Sequence, residues 1–213
     1  VTATLRKNIE AALGRGHPWV WADALAPLRA EAGEVATVRD GRGRFVARGL
    51  VDEAPIGVRV FTTRDEAVDE ALLEARVRQA LALRRQALPP DTDCWRLLHG
   101  EGDRVPGIVC DRYASYATVQ LDGAAAPAWR DRVLPILESA LKKIGVDTIL
   151  VRTGKRGERR VDCAVGVSPS EPIEVREHGM ILIADLIHGQ KTGLFLDHRE
   201  SRHRVRELSR RRR

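Results

Sequence analysis

Residues 34–52 read EVATVRDGRGRFVARGLVD, two runs of alternating apolar and polar residues on either side of Asp40-Gly41. Alternation at period two sends every second side chain to one face, and an Asp-Gly pair reverses the chain, so the stretch predicts a β-hairpin. Upstream, ATLRK (3–7) is short and alternating. NIEAALGRG (8–16) has an Asn cap, helix formers and a stopping Gly. Downstream, GVRVFT (57–62) supplies a further strand. Several short strands within about sixty residues predict a small closed barrel over residues 1–64.

The next segment changes period. DEAVDEALLEARVRQALALRRQAL (65–88) carries Leu73, Val77, Ala80, Leu81 and Leu88 at helical spacings, with Arg84 and Arg85 interrupting the stripe. PPDTD (89–93) ends it, because proline cannot continue a helix. Residues 65–93 therefore read as a connecting helix and linker. In 94–187, CWRLL, GIVCDRY and YATVQL are strand-like, with Ala114-Ser115 between the last two. PAWRDRVLPILESALKKIG (127–145) is an amphipathic helix that Pro135 should bend or divide. DTILVR and the pair IEVRE/MILIADL, turning at His178-Gly179, add strands. Strands, a helix and strands again predict a central α+β domain of strand-strand-helix-strand-strand type.

Apolar residues make up 43% and charged residues 31% of the 213, a globular composition. No apolar run approaches the ~20 residues of a membrane span, and the N-terminus lacks a secretion pattern. Cys94, Cys110 and Cys163 are odd in number and far apart, which disfavours a disulfide framework or zinc site and points to a reducing cytoplasm. The net charge of +6 is carried entirely by the eight arginines and two glutamates of Arg199–Arg213. A nucleic-acid partner must therefore be argued from local patches, the arginine tail being either a solvated helix end or a binding arm.

Several motifs resemble nucleotide sites and fail. GQKT (189–192) has Gln190 between Gly189 and Lys191, and Ala184 where a phosphate loop needs its first Gly. GEGDRVPG (100–107) brings its third Gly too late, and Pro106 blocks the helix that would hold a pyrophosphate. His198 and His203 are five apart, which does not suit a metal on one helix face. No Ser-His-Asp or Cys-His arrangement is visible. Two basic clusters remain. GRGHPWVW (14–21) sets Arg15 and His17 beside Trp19 and Trp21, rings that serve either as core or as stacking surfaces for RNA bases. RTGKRGERR (152–160) gathers Arg152, Lys155, Arg156, Arg159 and Arg160 around glycines, a loop that could follow phosphates or be merely solvated.

RGHPWVWADAL (15–25), RLLHGEGDRVPGIVCDRY (96–113) and EHGMILIADLIHGQKTGLFLDHRESR (177–202), in that order and spacing, resemble the bacterial cytosine-5 methyltransferases of large-subunit ribosomal RNA. The resemblance covers nearly the whole chain. It implies an RNA-binding PUA domain at 1–64, a central α+β domain at 94–187 and, from 188 to 213, the start of a Rossmann-like domain that binds S-adenosylmethionine. It also implies a ribosomal RNA partner. No strand leading into the cofactor's glycine turn is legible, and none of the three cysteines lies in a catalytic motif. The expectation is therefore an α+β chain in which the Rossmann-like domain is absent: no catalytic residue, no tight binding of the methyl donor, and no methyl transfer alone. The alternative is a complete, non-catalytic RNA-binding or ribosome-associated adaptor.

By the resemblance, Lys191, Thr192, Gly193, Phe195, Asp197, His198 and Arg199 border the cofactor cleft, with His198 where Gln is more usual. Asp197 equally suits the cap of the following helix. Leu186, Ile187, Leu194, Phe195 and Leu196 should lie exposed without the opposite wall, favouring a homodimer.

Overall fold

The computed structural model describes residues 1–154 and 160–209. They form two compact units, one gathering residues 1–80, 98–109 and 121–140, the other the remainder.

The first unit opens with β1 (Thr2–Thr4), α1 (Glu10–Gly14) and β2 (Trp19–Trp21), followed by β3 (Val35–Arg39), β4 (Phe45–Val51) and β5 (Ile56–Thr62). The sheet order is β1-β3-β4-β5-β2, with β1 parallel to β3 and the other pairs antiparallel. Its two edges close on each other just past their strands. Leu5 bridges Leu25, the Arg6 N–H donates to the Ala24 carbonyl at 2.8 Å, and the Ala26 N–H donates to the Thr4 carbonyl at 2.9 Å. A narrow barrel has room inside only for small side chains, and Ala3, Val20, Ala36, Val38, Ala47 and Val58 are all at most 1% exposed.

The hairpin of the opening stretch forms, but not with a two-residue turn. A bulge at Arg39 pairs it with Phe45, and the Asp40 carboxylate accepts the N–H groups of Arg42 and Arg44 across the loop. Between β4 and β5 the backbones nearly touch. A Cβ on Gly49 would lie 2.0 Å from the Arg59 carbonyl oxygen, so only glycine fits there.

The helix expected from residue 65 begins five residues later, as α2 (Glu70–Ala87), with the Asp69 carboxylate accepting the Leu72 N–H at 2.9 Å. Residues 62–66 are instead tied into a turn. Thr62 Oγ1 donates to Glu66 at 2.6 Å, and the Arg48 guanidinium holds Asp65 and the Glu66 carbonyl. Leu73, Val77, Ala80 and Leu81 are buried, as their spacing requires.

After the linker come β6 (Cys94–His99), β7 (Ile108–Tyr113), β8 (Tyr116–Leu121), α3 (Ala125–Ala128), α4 (Arg130–Lys142), β9 (Thr148–Thr153) and β10 (Arg160–Val165). They build a sheet in the order β10-β9-β8-β7-β6. The α+β reading is corrected here. β8 and β9 pair in parallel, from Tyr116 with Thr148 to Gln120 with Arg152. Parallel neighbours need a crossover, and α3 and α4 supply it, making a βαβ unit of the kind that builds α/β folds. Alternation reveals which face a side chain takes, never which way the strand runs. The uninterrupted burial of Thr148–Arg152 is the mark of such a strand. Pro135 neither ends nor divides α4; the break falls earlier, at Trp129.

β11 (Ile173–Glu177) and β12 (Met180–Ala184) form a separate hairpin whose His178-Gly179 turn has φ of 49° and 70°, both positive as a primed turn demands. Last is α5 (Arg199–Ser209), which has no buried residue and so no apolar face to anchor it. Polar contacts to the hairpin do so. Arg202 grips the fully buried Glu177 carboxylate at 2.6 and 2.7 Å, His203 stacks on His178 at 4.0 Å, and Arg206 donates to the His178 carbonyl at 2.7 Å. Residues 199–209 are thus helical, and the terminal arginine run, Arg210–Arg213, lies outside the described residues.

The expected exposed apolar patch is also corrected. Leu186 is 1% exposed, and Ile187, Leu194 and Leu196 pack on the cluster of Cys94, Tyr113, Leu150 and Val175. Exposed apolar surface lies instead at Ile181, Ile183, Val205 and Leu208, with Phe195 alone of the expected five.

Candidate nucleic-acid interface

Arg15 follows α1, where the chain turns through Gly16 (φ 96°) toward β2. Arg15 and His17 are exposed. The His17 ring lies 6.2 Å from Trp19 and 6.5 Å from Trp21, whose rings stand 5.4 Å apart edge to face. The two tryptophans differ in role. Trp19 is half-buried and donates its indole N–H to Glu101 at 3.0 Å, whereas Trp21 is 38% exposed. Their spacing of two within a strand places both on one face, with Val20 buried on the other.

Behind Trp19 lies a buried charge knot. Arg59 donates to Asp52, to Glu101 at 2.9 Å and to Asp122 at 3.5 Å. Asp52 also accepts the N–H groups of Glu53 at 2.8 Å and Ala124 at 2.7 Å. Burial disfavours the charge on both, yet these bonds outweigh it: the Asp52 carboxyl is held below its ordinary range and the Arg59 guanidinium above.

Beside Arg15 and His17 opens a cavity of about 500 Å³, lined by the α1–β2 turn, the end of β5, one face of α2, and Glu101 and Arg104. Arg64 and Arg76 belong to this lining, and neither stood out in the sequence. Arg76 carried a signal all the same. It sits three residues after Leu73 and four before Ala80, on the stripe of α2 that packing fills with apolar side chains.

The second basic cluster divides. Lys155, Arg156 and Arg159 lie outside the described residues. Arg160 is exposed at the start of β10. Arg152 is corrected: it is 3% exposed, and its guanidinium donates to the carbonyls of Lys191 at 2.6 Å, Leu186 at 2.8 Å and Gly189 at 3.4 Å. It fastens the 186–191 loop and turns no face to a phosphate.

That loop leads into the segment expected to border a cofactor. The Asp185 carboxylate accepts the N–H groups of His188 at 2.8 Å and Ile187 at 3.0 Å, bonds that lower its pKa. Thr192 is buried, donating to Asp111 at 2.5 Å and lying 2.8 Å from the Tyr113 hydroxyl. Arg96 holds the same Asp111 at 2.8 and 3.0 Å. A Cβ on Gly193 (φ 142°) would lie 2.5 Å from Leu186. The Lys191 ammonium lies 5.5 Å from the Phe195 ring, which meets His198 edge to face at 5.8 Å. Arg199 pairs with Glu200 at 3.0 Å. Asp197 sits in a 3₁₀ turn, Leu196–His198, that runs straight into α5, and no capping bond from its carboxylate is found among the described residues. The buried polar groups here are satisfied by one another. Cys94 and Cys110 are buried, which pushes the Cys94 thiol up to about 12 and Cys110 upward too; neither is poised as a nucleophile. Among the described residues no His, Cys, Asp and Glu cluster could hold a metal, and no helix is long and apolar enough to cross a membrane.

Residues 3–63 match the PUA-like domain family. The chain is 34% identical over 210 residues to the ribosomal RNA large subunit methyltransferase I of Shigella boydii, covering 95% of this chain and 53% of that protein. For the Klebsiella pneumoniae protein of the same name the figures are 34% over 206 residues, 93% and 52%. Two solved chains share the fold with a TM-score of 0.82 over 96% of this chain: "A putative sam-dependent methyltransferase from Streptococcus mutans" (16% identical, 54% of that chain) and "a putative methyltransferase complexed with SAH" (15%, 52%). This match completes the correction of the fold class. Over nearly its whole length the chain shares the fold of about half of each of these two chains, so a fold defined by the absence of the Rossmann-like domain does not stand. By sequence the chain is similar to the ribosomal RNA large subunit methyltransferase I proteins, and it spans about half the length of the curated relatives it matches.

Proposed function

We propose that this chain is the RNA-recognition portion of an S-adenosylmethionine-dependent methyltransferase that modifies a cytosine of large-subunit ribosomal RNA in the cytoplasm. Residues 1–64 serve as the PUA-like RNA-binding domain, 65–93 as connector and 94–187 as central domain, with the methyltransferase domain proper beginning in 188–213. The observation that carries the reading is the exposed group of Arg15, His17 and Trp21 on a PUA-like barrel: two groups suited to phosphates beside a ring suited to an unstacked base. Arg160 adds a further phosphate contact. Chemistry on a base edge requires the target to be swung out of its stack, and this part of the protein holds the surrounding RNA in register. The methyl donor supplies the transferred group when bound. Lys191–Arg199 lie along the edge of its cleft, Thr192 and Gly193 shaping the loop rather than bonding the donor.

The test is a titration of labelled ribosomal RNA fragments with the 213-residue chain across a range of salt. Binding should weaken steeply with salt, by a slope of about 0.7 in log–log terms for each phosphate held on a single strand. Arg15→Ala should weaken all sequences alike; binding that ignores salt and Arg15 would reject the reading. Self-association belongs to the same proposal: Ile181, Ile183, Val205 and Leu208 are exposed apolar side chains suited to a second copy. Sedimentation velocity should show a dimer growing with concentration, and a monomer throughout would remove it.

A further inference from the structure

We infer that the cavity beside α1 and α2 is an anion pocket that takes a backbone phosphate of the bound RNA, with Arg76 at its base. The inference rests on the RNA reading and deepens it, adding a residue outside the PUA-like barrel.

Arg76 is 7% exposed and lines the cavity. Its guanidinium lies 5.8 Å from the Phe61 ring and donates from one nitrogen to the Arg104 carbonyl. No carboxylate lies within ion-pairing distance of it among the described residues. Of the two carboxylates in the lining, Glu101 is bonded to Arg59 and Trp19, and Glu66 accepts the Thr62 hydroxyl at 2.6 Å. Burial, aided by the charge of Arg104 and opposed by that of Glu66, lowers Arg76 to about 10, so it remains charged at neutral pH. A buried cation without a counter-ion is costly. Arg76 occupies a stripe position where an apolar residue would pack without that cost.

The surroundings indicate what offsets it. Arg15, Arg64 and Arg104 also line the cavity, so four guanidiniums face two carboxylates already engaged elsewhere. Such a lining repels metal ions and offers little to an apolar ligand. Guanidinium forks match the oxygens of phosphate, and about 500 Å³ admits a phosphate with its sugar. Arg15 belongs to the exposed cluster as well, which places the pocket where an RNA strand crossing His17 and Trp21 can reach it.

The experiment compares the wild-type chain with Arg76→Met and Arg76→Lys, using a labelled single-stranded RNA oligonucleotide across salt, inorganic phosphate as competitor, and thermal unfolding of each protein. Arg76→Met should bind RNA about tenfold more weakly and lose about 0.7 from the salt slope, the value of one phosphate. Arg76→Lys should recover part of the affinity. Arg76→Met should also unfold no earlier than wild type, because it removes an unpaired buried charge. A purely structural arginine would give the reverse: earlier unfolding with unchanged slope. That result, with wild type binding RNA normally, overturns the pocket and leaves the RNA reading intact. If wild type binds no RNA while inorganic phosphate still raises its melting temperature, and not that of Arg76→Met, the RNA reading falls and the pocket holds free phosphate instead.

Discussion

Arg59 and Arg76 are both buried arginines in the first compact unit, and they are treated in opposite ways. Arg59 is met by three carboxylates, of which Asp52 is as buried as itself and is further held by backbone N–H groups. Arg76 is met by one carbonyl and an aromatic ring, and opens onto a cavity. The first charge is neutralised within the fold, so its work is holding strands and turns together. The second is left for something outside the fold to neutralise. Burial alone does not separate a structural arginine from a binding one; the identity of the acceptors does.

The same substitution at both positions exposes the contrast most sharply. Arg59→Met leaves Asp52 buried with its charge unmatched, and should cost about 3–5 kcal/mol of stability, against no loss for Arg76→Met. Scanning calorimetry of the pair reads the difference directly; equal melting temperatures would erase the distinction. Acid should act on the knot as well. The Asp52 carboxyl is held below its unfolded value of about 4. Its contribution is therefore full above that pH and is lost as pH falls through the depressed folded value. The melting temperature of wild type should fall more steeply below about pH 4 than that of Asp52→Asn.

Much of this was legible in the sequence, for reasons that also explain the rest. Period-two alternation marked the hairpins at 34–52 and 173–184, and His178-Gly179 marked the turn of the second. The stripe through Leu73 and Val77 marked α2. Strand direction left no such trace, so the parallel pairing of β8 and β9 emerged only in three dimensions. Among site residues, Arg15 and His17 were readable because they adjoin aromatic residues along the chain. Arg152 was misread because a basic residue in a glycine-rich run looks solvated, whereas carbonyls from Leu186, Gly189 and Lys191 converge on it from more than thirty positions away. Arg76 was hidden for the opposite reason: its neighbours in sequence are ordinary helix formers, and its meaning comes from Phe61, Arg64 and Arg104.

The smallest expected effect lies in the second unit, where a buried network resembles the Arg59 knot but contains spare capacity. Burial and the Asp111 charge raise the Tyr113 pKa, so its hydroxyl stays protonated and donates to Thr192, which in turn donates a hydrogen bond to Asp111. Thr192→Val keeps the shape and removes both bonds. Asp111 retains the two bonds from Arg96, and the Tyr113 hydroxyl can turn to the Leu194 carbonyl, 3.5 Å away. The loss should therefore fall at the low end of the ~1–3 kcal/mol for a buried bond left unmade, or roughly 2–4 °C in melting temperature for a chain of this size. Thr192→Ser should restore most of it. A loss as large as that of Arg59→Met would mean that Asp111 depends on the Thr192 hydroxyl despite Arg96, and that counting acceptors underrates single bonds in this unit.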